Sequence, residues 1–113
     1  MGMWAFEPWD NDAAADWFGG LMDSTKLRDR WLEGIKADAT DEPEIVRAAG
    51  ALFIMLGRIY VWPIHNYDED LELAIEAMSK IVSAESFEET PELVALVEKE
   101  VSELKARRKP EKQ

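Results

Sequence analysis

Three carboxylates lie close together near the start of the sequence, at Asp10, Asp12 and Asp16. Asp12 and Asp16 are four residues apart, so in a helix both side chains would lie on one face. Mg²⁺ and Ca²⁺ bind oxygen ligands of this kind, and a metal-binding protein or a metal-assisted hydrolase is one interpretation. Asp is also favoured at helix N-termini, where it caps free N–H groups and interacts with the helix dipole. We expect the capping role, with the metal site as the alternative.

The sequence contains one histidine, His65, and no cysteine. A zinc site would need carboxylates for its other ligands, which is uncommon, and the lack of cysteine excludes thiol catalysis. The serines show no nucleophile-elbow motif, and Gly19-Gly20 lacks the flanking pattern and the preceding strand of a phosphate-binding loop. We therefore expect a solvated His65, no cofactor and no catalytic residues. A protein that is not an enzyme is favoured, and a general acid or base at His65 is the alternative.

Charge favours one class of partner. The 113 residues include 24 acidic and 13 basic side chains, which gives a formal net charge of −11. A surface this negative repels phosphate backbones, so nucleic acid is not an expected partner. It favours a basic protein, because complementary charge speeds association and selects partners, as in an inhibitor or immunity protein that binds a basic nuclease. The acids predicted to form this partner-binding face are Asp68, Glu69, Asp70, Glu72 and Glu76.

The ends of the sequence suggest no targeting. Residues 1–10 have no basic region of the kind that begins a signal peptide, and the most apolar run, residues 48–57, is too short to cross a bilayer. We expect a cytoplasmic protein that does not bind membranes. The basic residues within 105–109 are expected to complement the dipole of the helix that they close.

Apolar residues recur with helical spacing after residue 10, and no stretch shows the alternation of a half-buried strand. The sequence predicts one all-α domain over residues 1–113, a compact bundle of about five helices around a central apolar helix. Residues 1–10 would form an extended aromatic arm, residues 11–106 the bundle, and residues 107–113 a frayed basic tail. The predicted helix starts are Asn11 or Asp12, Thr25, Asp41, Asn66 and Thr90.

The third predicted helix is apolar on all sides, which is typical of a central helix. Gly50 and Gly57 lie seven residues apart in it, and helical glycines at this spacing indicate close contact with a neighbouring helix. Proline disfavours helix at the residue before it, so Trp62-Pro63 is predicted to end the helix. The side chains expected in the core are Leu52, Met55, Leu56 and Ile59.

The other predicted helices each have an inward face. These faces comprise Ala14, Trp17, Phe18 and Leu21 in the first helix; Leu27, Trp31, Leu32 and Ile35 in the second; Leu71, Ala74, Ile75, Met78, Ile81 and Val82 in the fourth; and Leu93, Val97, Val101 and Leu104 in the fifth. A further aromatic cluster is expected to hold the N-terminal arm against the bundle, because indole and phenyl rings bury a large apolar area. Its members are Trp4, Phe6, Trp9, Trp17 and Phe18.

The opening residues also resemble a known family. They contain Met1-Gly2-x-Trp4, Pro8-Trp9, Asp10-Asn11-Asp12, Ala14-Ala15-Asp16-Trp17 and Leu21. This pattern is similar to the start of the bacterial family catalogued as domain of unknown function 4259, whose members begin Met-Gly-x-Trp-Gly-x-Gly-Pro-Phe-x-Asn-Asp. The sequence departs from it at Ala5 and Glu7, where the family has glycine, and at Trp9, where the family has phenylalanine. The resemblance implies a bacterial protein but no activity.

Overall fold

Five α-helices form the part of the protein that the computed structural model describes, which comprises Pro8 and residues 11–58, 61–83 and 90–108. No β-strand occurs within these residues, so the all-α prediction is confirmed. The helices are α1 Asp12–Thr25, α2 Leu27–Ile35, α3 Pro43–Leu56, α4 Tyr67–Val82 and α5 Pro91–Lys105, and a short 3₁₀ turn at Ile64–Asn66 precedes α4. None of these helices is long and apolar enough to cross a membrane.

Local chemistry sets the boundaries of α1 and α2. The Asn11 side chain accepts a hydrogen bond from the Ala14 N–H at 2.8 Å, which confirms the predicted cap of α1. The helix continues through Gly19-Gly20 to Thr25, so α2 begins at Leu27 rather than at the predicted Thr25. The C-cap of α1 is Lys26, whose φ of 54° lies in the left-handed region. This single residue separates α1 from α2 and sets the angle at which the chain turns.

The start of α3 differs from the prediction. Its N-cap is Glu42 rather than Asp41, and no side chain caps the first turn. Instead, the Asp38 carboxylate accepts hydrogen bonds from the N–H groups of Thr40 at 2.7 Å and Asp41 at 3.0 Å. These bonds lower the pKa of Asp38 and hold the turn that leads to Pro43.

The end of α3 also differs, since the helix stops at Leu56 rather than at Trp62-Pro63. Its C-cap is Gly57, and a Cβ added there would overlap the ring and the carbonyl oxygen of Phe53. Gly50 shows the predicted close approach between helices, because a Cβ there would lie 2.9 Å from Cγ of Met78 in α4. The absence of a side chain at Gly50 therefore lets α3 and α4 pack closely.

The predicted core face of α3 is wrong. Met55 is 63% exposed, Leu52 and Leu56 are only partly buried, and Ile59 lies outside the described residues. The buried residues of α3 are Pro43, Val46, Ala49, Gly50 and Phe53. Because α3 is apolar on every side, its periodicity does not distinguish the face that packs from the face that does not.

The inward faces of α2, α4 and α5 are where the sequence predicts them. The buried apolar residues of these helices are Trp31 and Ile35 in α2, Tyr67, Leu71, Ala74, Ile75, Met78 and Ile81 in α4, and Val97, Val101 and Leu104 in α5. In α1 the prediction is wrong, because Trp17 is 64% exposed and the buried residue is Met22. Helices α3 and α4 pack against each other, and each of them also contacts α2 and α5. Two helices therefore share the centre of the bundle.

Candidate functional site

The predicted acidic face lies on α4, but one of its five members points inward. Asp68, Glu69, Glu72 and Glu76 are exposed, whereas Asp70 is fully buried. Asp70 follows Tyr67 by three residues and precedes Leu71, so it belongs to the buried stripe of the helix. The prediction that Asp70 contacts a partner is therefore wrong, and this spacing within the sequence is the signal that could have shown it.

Asp70 is held by two side chains from other parts of the fold. Arg28 of α2 donates from Nε to Oδ2 at 2.6 Å and from Nη2 to Oδ1 at 2.7 Å. Trp62 donates from Nε1 to Oδ2 at 2.7 Å. The hydrogen bonds to Asp70 raise the pKa of Arg28. Both carboxylate oxygens thus have partners, and the group joins α2, α4 and the segment between α3 and α4.

The exposed acids of α4 are partly neutralised. Arg108 donates to Glu72 from Nε at 2.7 Å and from Nη2 at 2.8 Å, and this pairing lowers the pKa of Glu72. Lys80 Nζ lies 3.6 Å from the carboxylate of Glu76, one turn away on the same helix. Asp68 and Glu69 add two further exposed carboxylates in the first turn of α4.

Negative charge continues from α4 onto α2. Besides the hydrogen bonds to Asp70, the negative charges of Glu69 and the exposed Asp29 raise the pKa of Arg28, so both acids lie near the ion pair between Arg28 and Asp70. We use the term acidic surface for Asp29, Asp68, Glu69, Glu72 and Glu76. It spans two helices that the buried ion pair connects.

Two other arginines are used inside the fold. Arg47 of α3 binds Glu100 of α5 through two hydrogen bonds of 3.0 and 2.7 Å. Arg107 donates to the carbonyl oxygens of Phe53, Ile54 and Gly57 at 3.2, 2.7 and 3.1 Å. Burial lowers the pKa of Arg107, and nearby Arg58 lowers it further.

Arg107 also corrects the prediction for the basic end of the sequence. Residues 107–113 were expected to fray, but Arg107 covers the C-terminus of α3 and Arg108 binds Glu72, while residues 109–113 lie outside the described part. Lys105 lies in the last turn of α5, as the expected interaction with the helix dipole requires, whereas Arg107 lies at the C-terminus of α3. No local pattern could identify α3 as the partner, because the bonded residues are 50 to 54 positions apart.

An aromatic cluster that the sequence did not predict supports Trp62. The ring of Trp62 lies 5.1 Å from Trp31 and 4.9 Å from Phe53, measured between centroids, and Tyr67 packs on Phe53 at 5.8 Å. These rings fix the indole that donates to Asp70. Of the aromatic cluster that the sequence did predict, the structure describes Trp17 and Phe18, with centroids 5.3 Å apart, whereas Trp4, Phe6 and Trp9 lie outside the described residues.

The remaining candidate residues are dispersed. Asp12 and Asp16 are exposed on α1, Asp10 lies outside the described residues, and the exposed His65 lies in the 3₁₀ turn. Within the described ranges no group of three acids or histidines could hold a metal ion. No family model, curated protein or solved structure matches the chain.

Proposed function

We propose that the protein is a small, non-catalytic protein-interaction domain whose acidic surface binds a basic partner protein. The observation that supports this proposal is the group of exposed acids on two neighbouring helices. Asp29 of α2 and Asp68, Glu69, Glu72 and Glu76 of α4 are exposed, whereas the ion pairs Arg28–Asp70 and Arg47–Glu100 each contain one charge of either sign. The protein therefore keeps the negative excess of its composition, a formal net charge of −11.

The architecture of the acidic surface suits recognition. Asp68 and Glu69 lie in the first turn of α4, and Asp29 lies in the first turn of α2. The ion pair between Arg28 and the buried Asp70 joins these two turns, which restricts the movement of the exposed carboxylates relative to one another. A rigid arrangement of charge selects a complementary basic surface and loses little conformational entropy on binding.

Affinity capture with matched charge variants tests the proposal. The bait is the full chain, exposed to a lysate of its own source cells at low and at high salt. The test variant is Asp29→Asn/Asp68→Asn/Glu69→Gln. The control variant is Glu92→Gln/Glu98→Gln/Glu103→Gln, which removes three negative charges from exposed positions of α5.

We expect the original chain and the α5 variant to retain a basic protein at low salt. The variant with substitutions in α2 and α4 should not retain it. High salt should release it, because the ions screen exposed charges. Titration of the purified pair by calorimetry should then show a weaker affinity for the α2 and α4 variant alone. Equal loss of binding in both variants, or binding that salt leaves unchanged, would contradict the assignment of this surface.

A further inference from the structure

One face of α3 is apolar and exposed. Ile45 is 47% exposed and Met55 is 63% exposed, and between them Ala48 is exposed and Leu52 is partly buried. Intervals of three, four and three residues place these four side chains on one side of the helix over three turns. We call this group the α3 stripe. Single apolar side chains are common on protein surfaces, whereas a continuous row of them indicates an interaction site.

An apolar groove adjoins the α3 stripe on the side of α2. Ile45, Ala48 and Leu52 line it from α3, and its volume is about 500 Å³. Thr25 and Arg30 are the only polar residues that the described part of the chain contributes to its lining. A row of side chains on one helix packs into a groove of this kind when two layers of helices come together. The groove therefore suits another helix that carries an apolar row.

The groove on the other side of the α3 stripe, toward α5, is more polar. Glu44, Arg47 and Glu100 line it, and the last two residues bind each other. Desolvation of these charged groups opposes their burial. The side that faces α2 is therefore the one on which apolar packing is favoured.

The position of the charged residues favours a second copy of the chain as the occupant of the groove. The side of α3 that carries Gly50 packs on Met78 of α4, so the α3 stripe faces away from α4 and its exposed acids. Among the described residues no acid lines the groove, and Arg30 at its edge is paired with Glu33 at 2.9 Å. A basic partner would find no acid to bind there. Two copies, in contrast, can bring their stripes together while the acids of α4 stay on the outside.

We propose that the protein forms a symmetric homodimer in which the α3 stripe of each copy packs into the groove between α2 and α3 of the other. Two-fold symmetry makes the two contacts equivalent, so the same side chains fill both grooves. The stripe is about 15 Å long and the two helices together are about 20 Å wide, which gives a contact smaller than the roughly 800 Å² per partner of a standard interface. We therefore expect a reversible dimer with a dissociation constant of about 1–100 µM. This contact does not depend on the proposed function.

Sedimentation equilibrium of the full chain over about 1–500 µM measures the association. The test variant is Ile45→Lys/Met55→Lys. The control variant is Trp17→Lys/Ile64→Lys, which adds the same two positive charges at positions that are 64% and 56% exposed. The dissociation constant should rise at least about tenfold in the test variant and change by less than about threefold in the control, because only the first places charges in the apolar contact. Circular dichroism at 222 nm checks that both variants keep the helix content of the original chain.

The response to salt gives a further measurement. Raising NaCl from about 20 to about 200 mM should strengthen the dimer several-fold, since each copy has a formal net charge of −11 and the ions screen the repulsion between copies. A basic partner bound to the acidic surface should show the opposite response. Failure of one association therefore leaves the other to be judged separately.

Cross-linking tests the contact without adding charge to it, since the chain has no cysteine of its own. Ala48→Cys places a thiol in the α3 stripe, and Ala95→Cys places one at an exposed position of α5. A short bis-maleimide should convert the first variant to a covalent dimer several times faster than the second. Equal rates would overturn the proposal. So would a dimer that both lysine variants weaken equally, or a chain that stays monomeric up to about 500 µM at both salt concentrations.

Discussion

Asp70 connects more of the structure than any neighbouring acid of α4. Its two oxygens accept three hydrogen bonds, two from Arg28 and one from Trp62, and the carboxylate has no solvent exposure. Every buried side-chain nitrogen and oxygen among the described residues has a hydrogen-bond partner. A buried charge with complete partners is tolerated, whereas removal of one member leaves the others desolvated and unpaired.

Asp70→Ala should therefore destabilise the protein by about 3 kcal/mol, because Arg28 and the Trp62 N–H lose their acceptor in a buried site. The free energy of unfolding in urea measures this loss. Glu69→Ala, at the exposed neighbouring position, serves as the control and should change stability by less than about 1 kcal/mol. Similar losses for the two variants would contradict the structural role given to Asp70.

At the scale of elements, arginine side chains join helices that are distant in sequence. Arg28 links α2 to α4, Arg47 links α3 to α5, and Arg107 links the end of α5 to the end of α3. The guanidinium group suits this role, since its planar arrangement of donors matches a carboxylate or several carbonyl groups at once. Apolar burial holds the helices together, and these contacts specify which ends meet.

Arg107→Met should destabilise the protein by about 1–3 kcal/mol. The methionine keeps the apolar stem but removes the donors, so the carbonyl groups of Phe53, Ile54 and Gly57 lose the hydrogen bonds from the guanidinium group in a half-buried site. Thermal and urea unfolding should both detect the loss. Lys105→Met, which removes a positive charge from an exposed position two residues away, should have little effect. Equal effects would show that net charge, rather than the cap of α3, is responsible.

At the scale of the whole molecule, a strong excess of negative charge covers a bundle with an apolar interior. The formal net charge is −11, and the ion pairs Arg28–Asp70 and Arg47–Glu100 leave this excess unchanged because each contains one charge of either sign. Repulsion between like charges opposes the compact state, and salt screens it. The folded protein therefore contains an electrostatic penalty that depends on solution conditions.

Raising NaCl from about 20 to about 200 mM should stabilise the protein by about 0.5–1 kcal/mol, as the Debye length falls below the spacing of the surface charges. Urea unfolding at the two salt concentrations provides the measurement. The increase should be smaller in Asp23→Asn/Glu98→Gln, which removes two exposed acids. A decrease in the free energy of unfolding with added salt would contradict this prediction. It would mean that the ion pairs stabilise the folded protein by more than repulsion among the acids destabilises it.

Contrast between polar and apolar positions determines how much of this fold could be predicted. In α4 the acids and the apolar residues alternate with helical spacing, and its buried stripe was predicted correctly. In α3 every face is apolar, so the sequence did not show that Phe53 is buried and that Met55 is exposed. The partners of Asp70 and Arg107 are set by tertiary packing, and no local pattern contains them. The acidic surface itself, the metal-binding alternative and the resemblance of the opening residues to a family stay predictions.

The contact between Arg107 and α3 has a consequence for the order in which the protein is made. A ribosome completes α3 well before it reaches Arg107, which follows Gly57 by 50 residues and Phe53 by 54. A nascent chain that already contains α3 therefore lacks the guanidinium donors for the carbonyl groups of Ile54 and Gly57, although the Gly57 N–H can already bind the Phe53 carbonyl group. Glu100, the partner of Arg47, is also translated 53 residues after it. Native contacts of α3 thus become complete only late in translation, and the nascent chain depends until then on its local helix propensity and on α2 and α4.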